Sequence, residues 1–177
     1  SFPNFDAANL SAYLDGKDSP LFNRATAAYN CGSVFKTVTA MAALERGTPL
    51  TQSFPCLGVL RVGSNRIKCH HVLGHGTLAL CDGFAKSCNP YFIQLAQLCG
   101  GTSLYRTASL MGFDSPLLLM DNWRTDRATL PAEEEFEGSV LLANVSIGQG
   151  DLLATPVHVA AMTACVANGG RYCRPRL

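Results

Sequence analysis

"YNCGSVFKTVTAMAALERG", residues 29–47, opens as a loop and closes as a helix. From about Ser33 to Arg46 the apolar residues Val34, Val38, Met41, Ala42 and Leu44 form one broad stripe, and Gly47 stands where a left-handed terminator belongs. The spacing predicts a mostly buried helix. Ser33 and Lys36, three residues apart, share one face of its first turn, with Ser33 looking out of the helix mouth. A lysine so placed can act as base toward a serine hydroxyl if desolvation and the positive helix end favour its neutral amine. The same helix end offers the Ser33 N–H to a developing oxyanion. A capping serine and a solvated lysine would give the same S-x-x-K pattern, so the motif alone decides nothing.

The 177 residues suit a single domain with a real core. Lysine and arginine number 14 against 13 acids, and no basic stripe with interleaved aromatics occurs, which argues against nucleic acid as a partner. No apolar stretch reaches the roughly 18 residues that cross a bilayer, and none at the start reads as a signal peptide. Eight cysteines (Cys31, Cys56, Cys69, Cys81, Cys88, Cys99, Cys165, Cys173) leave the redox compartment open. The tightest metal-like cluster is "CHHVLGHG", with Cys69, His70, His71 and His75. A structural zinc site needs a complementary ligand pair, none is evident, and so neither a metal nor any other cofactor is expected.

Downstream, "CLGVLRVGSNRIKC" (56–69) alternates around Gly63-Ser64-Asn65 and predicts a short hairpin. Helices are expected over 76–86, from Pro90 to Cys99 ahead of Gly100-Gly101, and from a Thr102 cap to Leu110. The stretch 113–138, with Pro116, Pro131 and the acids Glu133 to Glu135, reads as an irregular loop. Thr155 and Pro156 set the N-cap and N1 of a last helix that stops at Asn168-Gly169-Gly170. The sum is mainly α, with very little sheet. A second polar feature, "KSCNP" (86–90), holds Ser87 and Asn89 between two of these helices, where Asn before Pro would also make a good N-cap.

Taken in order, "SFPNFD", "SPLFNRATAAYNCGSVFK", "AALERG", "GHGTL", "SCNPYFIQLA" and "SIGQGDLLATPVHVAAMTACVANGG" resemble the transpeptidase domain of class B penicillin-binding proteins, serine enzymes that use S-x-x-K, an S-x-N or S-D-N loop and a K-T-G strand. The resemblance implies Ser33 as the acylated nucleophile and Lys36 as the group that takes its proton. It implies Ser87 and Asn89 as the loop that relays protons and orients the substrate amide. Cys88, in the variable middle position, and Gly150, in "IGQGDLLATP", fall on the implied substrate-binding surface. The implied reaction attacks a D-alanyl-D-alanine stem peptide of peptidoglycan, releases D-alanine and transfers the acyl group to a neighbouring amine; β-lactams would trap the same serine. Implied partners are the stem peptide, β-lactam antibiotics and cell-wall synthesis proteins, at the extracytoplasmic face of the bacterial membrane.

No K-T-G follows "VANGGRYCRPRL", and the four lysines are Lys17, Lys36, Lys68 and Lys86. Residues 1–177 are therefore expected to be one partial transpeptidase domain, the helical portion of the α+β fold shared with β-lactamases, with most of its five-stranded sheet outside the sequence and weak activity alone. A D,D-carboxypeptidase or β-lactamase, and a non-enzymatic β-lactam sensor, share the serine and lysine; a β-lactamase would also need a deacylating carboxylate, and none of Glu133, Glu134, Glu135 and Glu137 sits in a convincing context. Outside the cytoplasm, Cys56 and Cys69, which flank the hairpin, are candidates for a disulfide, although a two-residue turn at Ser64-Asn65 would set Leu60 opposite Cys69.

Overall fold

The computed structural model describes residues 4–14, 18–137 and 139–176; Ser1 to Pro3 of "SFPNFD", Lys17, Gly138 and Leu177 lie outside the described residues. Among the described residues six α-helices pack around one core and three two-stranded sheets lie at its margins. The helical and sheet content is thus mixed rather than purely helical.

The decisive stretch does not begin as an α-helix. Gly32–Phe35 forms a 3₁₀ turn, and α1 follows from Lys36–Glu45. Cys31 at the cap makes no side-chain hydrogen bond, and the Lys36 N–H reaches the Ser33 carbonyl, the tighter bond of a 3₁₀ turn. In that geometry side chains three apart eclipse one another, so Lys36 lies directly over Ser33. Gly47 ends the helix at φ 81°.

Between α1 and the next helices the chain makes β1 (Phe54–Cys56), β2 (Val59–Val62), β3 (Asn65–Lys68) and β4 (Gly76–Leu78). The β2–β3 hairpin is nested between β1 and β4, which pair antiparallel with Cys56 opposite Gly76. Its turn falls at Gly63-Ser64, one residue earlier than a turn at Ser64-Asn65, because Gly63 supplies the positive φ (58°) of a II′-type turn. Val62 therefore faces Asn65, and Cys69 donates its N–H to Gly58 rather than standing opposite Leu60. The helix expected over 76–86 is a correction as well. Gly76–Leu78 is strand β4, and α2 occupies only Leu80–Ala85, since Phe54 to Cys56 offer edge hydrogen bonds that local propensity does not reveal.

Helix α3 (Asn89–Cys99) is the centre of the molecule. Pro90, Tyr91, Phe92, Ile93, Leu95, Ala96 and Cys99 are all buried, so it is apolar nearly all round, as a core helix must be. It packs on α1, on α4 (Gly101–Leu110) and on α5 (Ser139–Val145). The stretch 113–138 is not wholly irregular: it holds the ribbon β5 (Leu118–Met120) with β6 (Trp123–Arg124) and a 3₁₀ turn at Glu133–Glu137. Helix α6 (Pro156–Ala167) starts where Thr155 and Pro156 predicted. His158 Nε2 donates to the Ser115 carbonyl (3.0 Å), which leaves Nδ1 to accept the Thr155 N–H in a reciprocal cap.

Gly83 sets the separation of α2 from α3. A Cβ there would lie 2.5 Å from the buried Tyr91 ring, whose hydroxyl is tied to the Gln52 carbonyl at 3.0 Å. Alanine would bring up to ~1 kcal/mol of helix propensity, but the clash with a fixed ring costs roughly 1–3 kcal/mol. Gly83→Ala is therefore expected to lower the denaturant midpoint in urea unfolding; an unchanged or raised midpoint would show that the two helices separate freely.

Candidate active site

The Lys36 amine sits at the meeting point of two segments brought together by the α1–α3 packing. Its Nζ is 3.0 Å from Ser33 Oγ, 2.9 Å from Ser87 Oγ, 2.7 Å from the Ser87 carbonyl and 2.7 Å from Asn89 Oδ1. Phe92 lies beneath it, its ring centre 5.8 Å away. The residue is only 2% exposed, while Ser33 is open to solvent. Four oxygens surround a group that carries three N–H donors when charged and two when neutral. The neutral amine bonds two of them and turns its lone pair to a hydroxyl hydrogen, which is the arrangement a base requires. Burial drives the amine pKa down to about 8, and the nearby Cys88 and Cys69 thiols oppose that shift.

The loop that carries Ser87 is a helix stop built without glycine. After α2 the Ser87 N–H bonds the Phe84 carbonyl (2.9 Å) and the Cys88 N–H bonds the Gly83 carbonyl (3.0 Å), the paired bonds of a Schellman motif. Ser87 therefore takes the left-handed position, φ 47°, which glycine usually fills. The turned backbone aims both the carbonyl and the hydroxyl of Ser87 at Lys36. Asn89 is the first residue of α3 rather than its cap, and because its Oδ1 accepts from Lys36 its NH₂ is left to face the open side.

The mouth of the 3₁₀ turn is closed on one side by the 146–150 segment. The Gly32 N–H donates to the Gly148 carbonyl (2.8 Å), and a side chain on Gly148 would run into the Gly32 backbone. Thr39 Oγ1 donates to the Ser146 carbonyl (2.8 Å) one helical turn further on. Gly150 is at the surface of this segment, with its carbonyl held by the Asn30 side chain at 3.0 Å. Among the residues singled out from sequence, Ser33, Lys36, Ser87 and Asn89 converge; Gly150 lies on the flanking segment, and Cys88 points the other way, fully buried.

Cys56 and Cys69 are free thiols, which corrects the disulfide expected between them. Both sulfurs turn to His75 Nδ1, at 3.7 and 3.4 Å. The absence of a second ligand pair is also corrected. Cys69 and His75 come from "CHHVLGHG", while Cys56 and Cys88 arrive from β1 and from the start of α3, so that the four donor atoms lie within 4.8 Å of one another. His70 and His71 stay exposed and stack beside His75 at 5.0 and 5.1 Å between ring centres. The sequence held no local signal for this pairing, because the partners of Cys69 and His75 lie 13 residues away on either side.

The model of the penicillin binding protein transpeptidase domain matches residues 1–177. Peptidoglycan D,D-transpeptidase PbpA of Mycobacterium tuberculosis is 32% identical over 181 residues, covering 99% of this chain and 36% of that protein. The ceftriaxone acyl-enzyme complex of penicillin-binding protein A from M. tuberculosis superposes with a TM-score of 0.88 at 30% identity, over 100% of this chain and 43% of the other. Pseudomonas aeruginosa PBP2, solved in complex with WCK 5153, gives 0.87 at 27% identity over 100% and 44%. The chain spans about a third of the length of the curated relatives it matches.

The left-handed Ser87 yields a direct test. A side chain in that conformation costs about 1 kcal/mol relative to glycine. Ser87→Gly is expected to be more stable than Ser87→Ala by about that amount in urea unfolding; equal midpoints would mean that the loop relaxes out of the strained conformation.

Proposed function

The chain belongs to the penicillin-binding protein transpeptidase domain family, in its class B branch, and from that premise we propose that Ser33 is the nucleophile of a peptidoglycan D,D-transpeptidase. The observation that carries the reading is the single buried amine of Lys36, shared by Ser33, Ser87 and Asn89 within 3.0 Å. Ser33 Oγ attacks the carbonyl of a D-alanyl-D-alanine bond as its proton moves to Lys36 Nζ. Ser87 Oγ, 2.9 Å from that nitrogen, hands a proton to the departing D-alanine amine. The acyl ester on Ser33 is then taken by an amine of a second stem peptide, and the hydroxyl is restored. A β-lactam presents the same carbonyl and leaves the ester in place. Asn89 holds the substrate amide through its NH₂, with Cys88 and Gly150 beneath and beside that surface.

Two features favour transfer over hydrolysis by a β-lactamase. Among the described residues no carboxylate bonds Ser33 or Lys36, and the acids Glu133 and Glu134 line a cavity with Gly101 and Thr102 at the foot of α4. No helix among the described residues is long and apolar enough to cross a membrane; the domain works at the outer face of the bacterial membrane, in a longer protein whose partners are cell-wall synthesis proteins.

The test is covalent labelling by a fluorescent penicillin, with the modified peptide located by mass spectrometry. Label is expected on Ser33 and is abolished by Ser33→Ala. With Lys36 near 8, about a tenth of the amine is neutral at pH 7. The acylation rate is therefore expected to rise roughly tenfold from pH 7 and to level above pH 8. A flat profile would remove Lys36 as the base. Residues 1–177 hold no K-T-G triplet, and a missing oxyanion donor costs a factor of about a hundred to a thousand, so the 177 residues alone should label that much more slowly than a longer form carrying that strand. Label on another residue would overturn the assignment.

A further inference from the structure

We propose that the outer face of the β2–β3 hairpin is a docking surface for the carboxylates of stem peptides that lie outside the reactive cleft, a reading that rests on the transpeptidase assignment above. The register sets Val59 opposite Lys68 and Arg61 opposite Arg66. Side chains alternate along a strand, so Val59, Arg61, Arg66 and Lys68 share one face and Leu60, Val62 and Ile67 the other. The second face packs on the core: Val62 is buried, and Leu60 and Ile67 are half-buried against it. Arg61, Arg66 and Lys68 are exposed on the first. Val62 and Asn65 close the turn as a hydrogen-bonded pair, which makes Arg61 and Arg66 the next, non-hydrogen-bonded pair, where side chains of two strands stand closest.

Two guanidiniums directly opposite one another repel, and like charges in that position destabilise a sheet. From Arg46 to Cys81 the sequence holds Arg46, Arg61, Arg66 and Lys68 and no acid, although acids and bases nearly balance over the whole chain. The helices on which the hairpin packs, α3 and α5, carry no carboxylate either. Such a face is complementary to a partner with more than one negative group, and the Arg61–Arg66 pair presents two planar forks that match carboxylates bidentately. A stem peptide ending in D-alanyl-D-alanine carries a free terminal carboxylate, and a glycan strand bears such peptides side by side. The hairpin also stands near the reactive loop. Strands β1 and β3 rest on α3, the helix that begins with Asn89, and Gln94 Nε2 of that helix donates to the Pro55 carbonyl (2.9 Å). A strand with one peptide at Ser33 can thus set a neighbouring peptide on the cationic face.

The probe is a soluble, uncross-linked glycan strand bearing stem peptides, fluorescently labelled at its reducing end and titrated by anisotropy with the Ser33→Ala protein, so that no acyl ester forms. Binding is expected, and it should weaken as salt is raised. The same strand with its carboxylates amidated should not bind. Replacing both arginines, Arg61→Gln with Arg66→Gln, is expected to raise Kd roughly tenfold or more. Arg66→Glu alone turns the repelling pair into an attracting one, so it should raise the urea midpoint while it weakens strand binding, a combination that an arginine pair with a merely structural role does not give. Unchanged affinity in these variants, or equal binding of the amidated strand, would overturn the face. Anionic lipid vesicles or polyphosphate bound as tightly as the strand would overturn the stem peptide as its partner. Penicillin labelling of the parent protein tests the underlying reading separately: label on Ser33 without strand binding overturns only the docking face, and strand binding without label overturns the transpeptidase reading on which its partner rests.

Discussion

Lys36 is the constraint on which the arrangement depends. A lysine amine withdrawn from water is costly unless it loses its charge or finds oxygen partners. Here it finds them on two segments separated by about fifty residues of chain. The 3₁₀ turn before α1 stacks Ser33 over it, the packing of α1 on α3 brings the 87–89 loop within bonding distance, and the left-handed Ser87 turns two oxygens inward. Each of these carries a local penalty. Poor 3₁₀ hydrogen-bond geometry and positive φ on a serine are tolerated because the buried helices around them specify a single packing.

The strain and the reactivity share an origin. A relaxed loop with glycine at 87 would lack the hydroxyl, and a solvated lysine would stay protonated well above neutral pH. The core supplies the compensation: Phe35 packs edge-on against Phe113, with ring centres 5.3 Å apart, and Tyr91, Phe92 and Ile93 are fully buried, with the Phe92 ring beneath the amine.

How much of this was legible in the sequence depends on the range of the forces involved. The Thr155-Pro156 start, the Gly47 stop and the helix after "SCNP" are written in neighbouring residues, and the structure has them; of the α1 stripe Val38 and Ala42 are buried, whereas Val34 and Leu44 are exposed. The spacing of Ser33 and Lys36 predicts the pair but not the 3₁₀ character of the turn that joins them. Strand β4 was hidden because its partner, β1, lies twenty residues upstream and the glycine at 76 looks like a helix start. The hairpin around Gly63-Ser64-Asn65 was legible, but only the positive φ of Gly63 fixes its turn at Gly63-Ser64. Helix α5, which follows the stretch of prolines and acids, was not singled out, although "VLLANV" is apolar enough to be buried against α3. The thiol and imidazole cluster could not be read at all from spacing, because two of its four members enter through tertiary packing.

The contact between Gly32 and Gly148 has a consequence for how such a cleft can vary. One wall of the opening before Ser33 is peptide against peptide, with a hydrogen bond of 2.8 Å and no space for a methyl group on Gly148. Its width on that side is set by a hydrogen bond between two backbones and not by side-chain choice, so substitution cannot widen or narrow it in small steps. Graded variation in the shape of the opening is left to positions whose side chains reach solvent, such as Val34 and Gln149. Sequence drift would find graded solutions at those positions and an all-or-none barrier at Gly148.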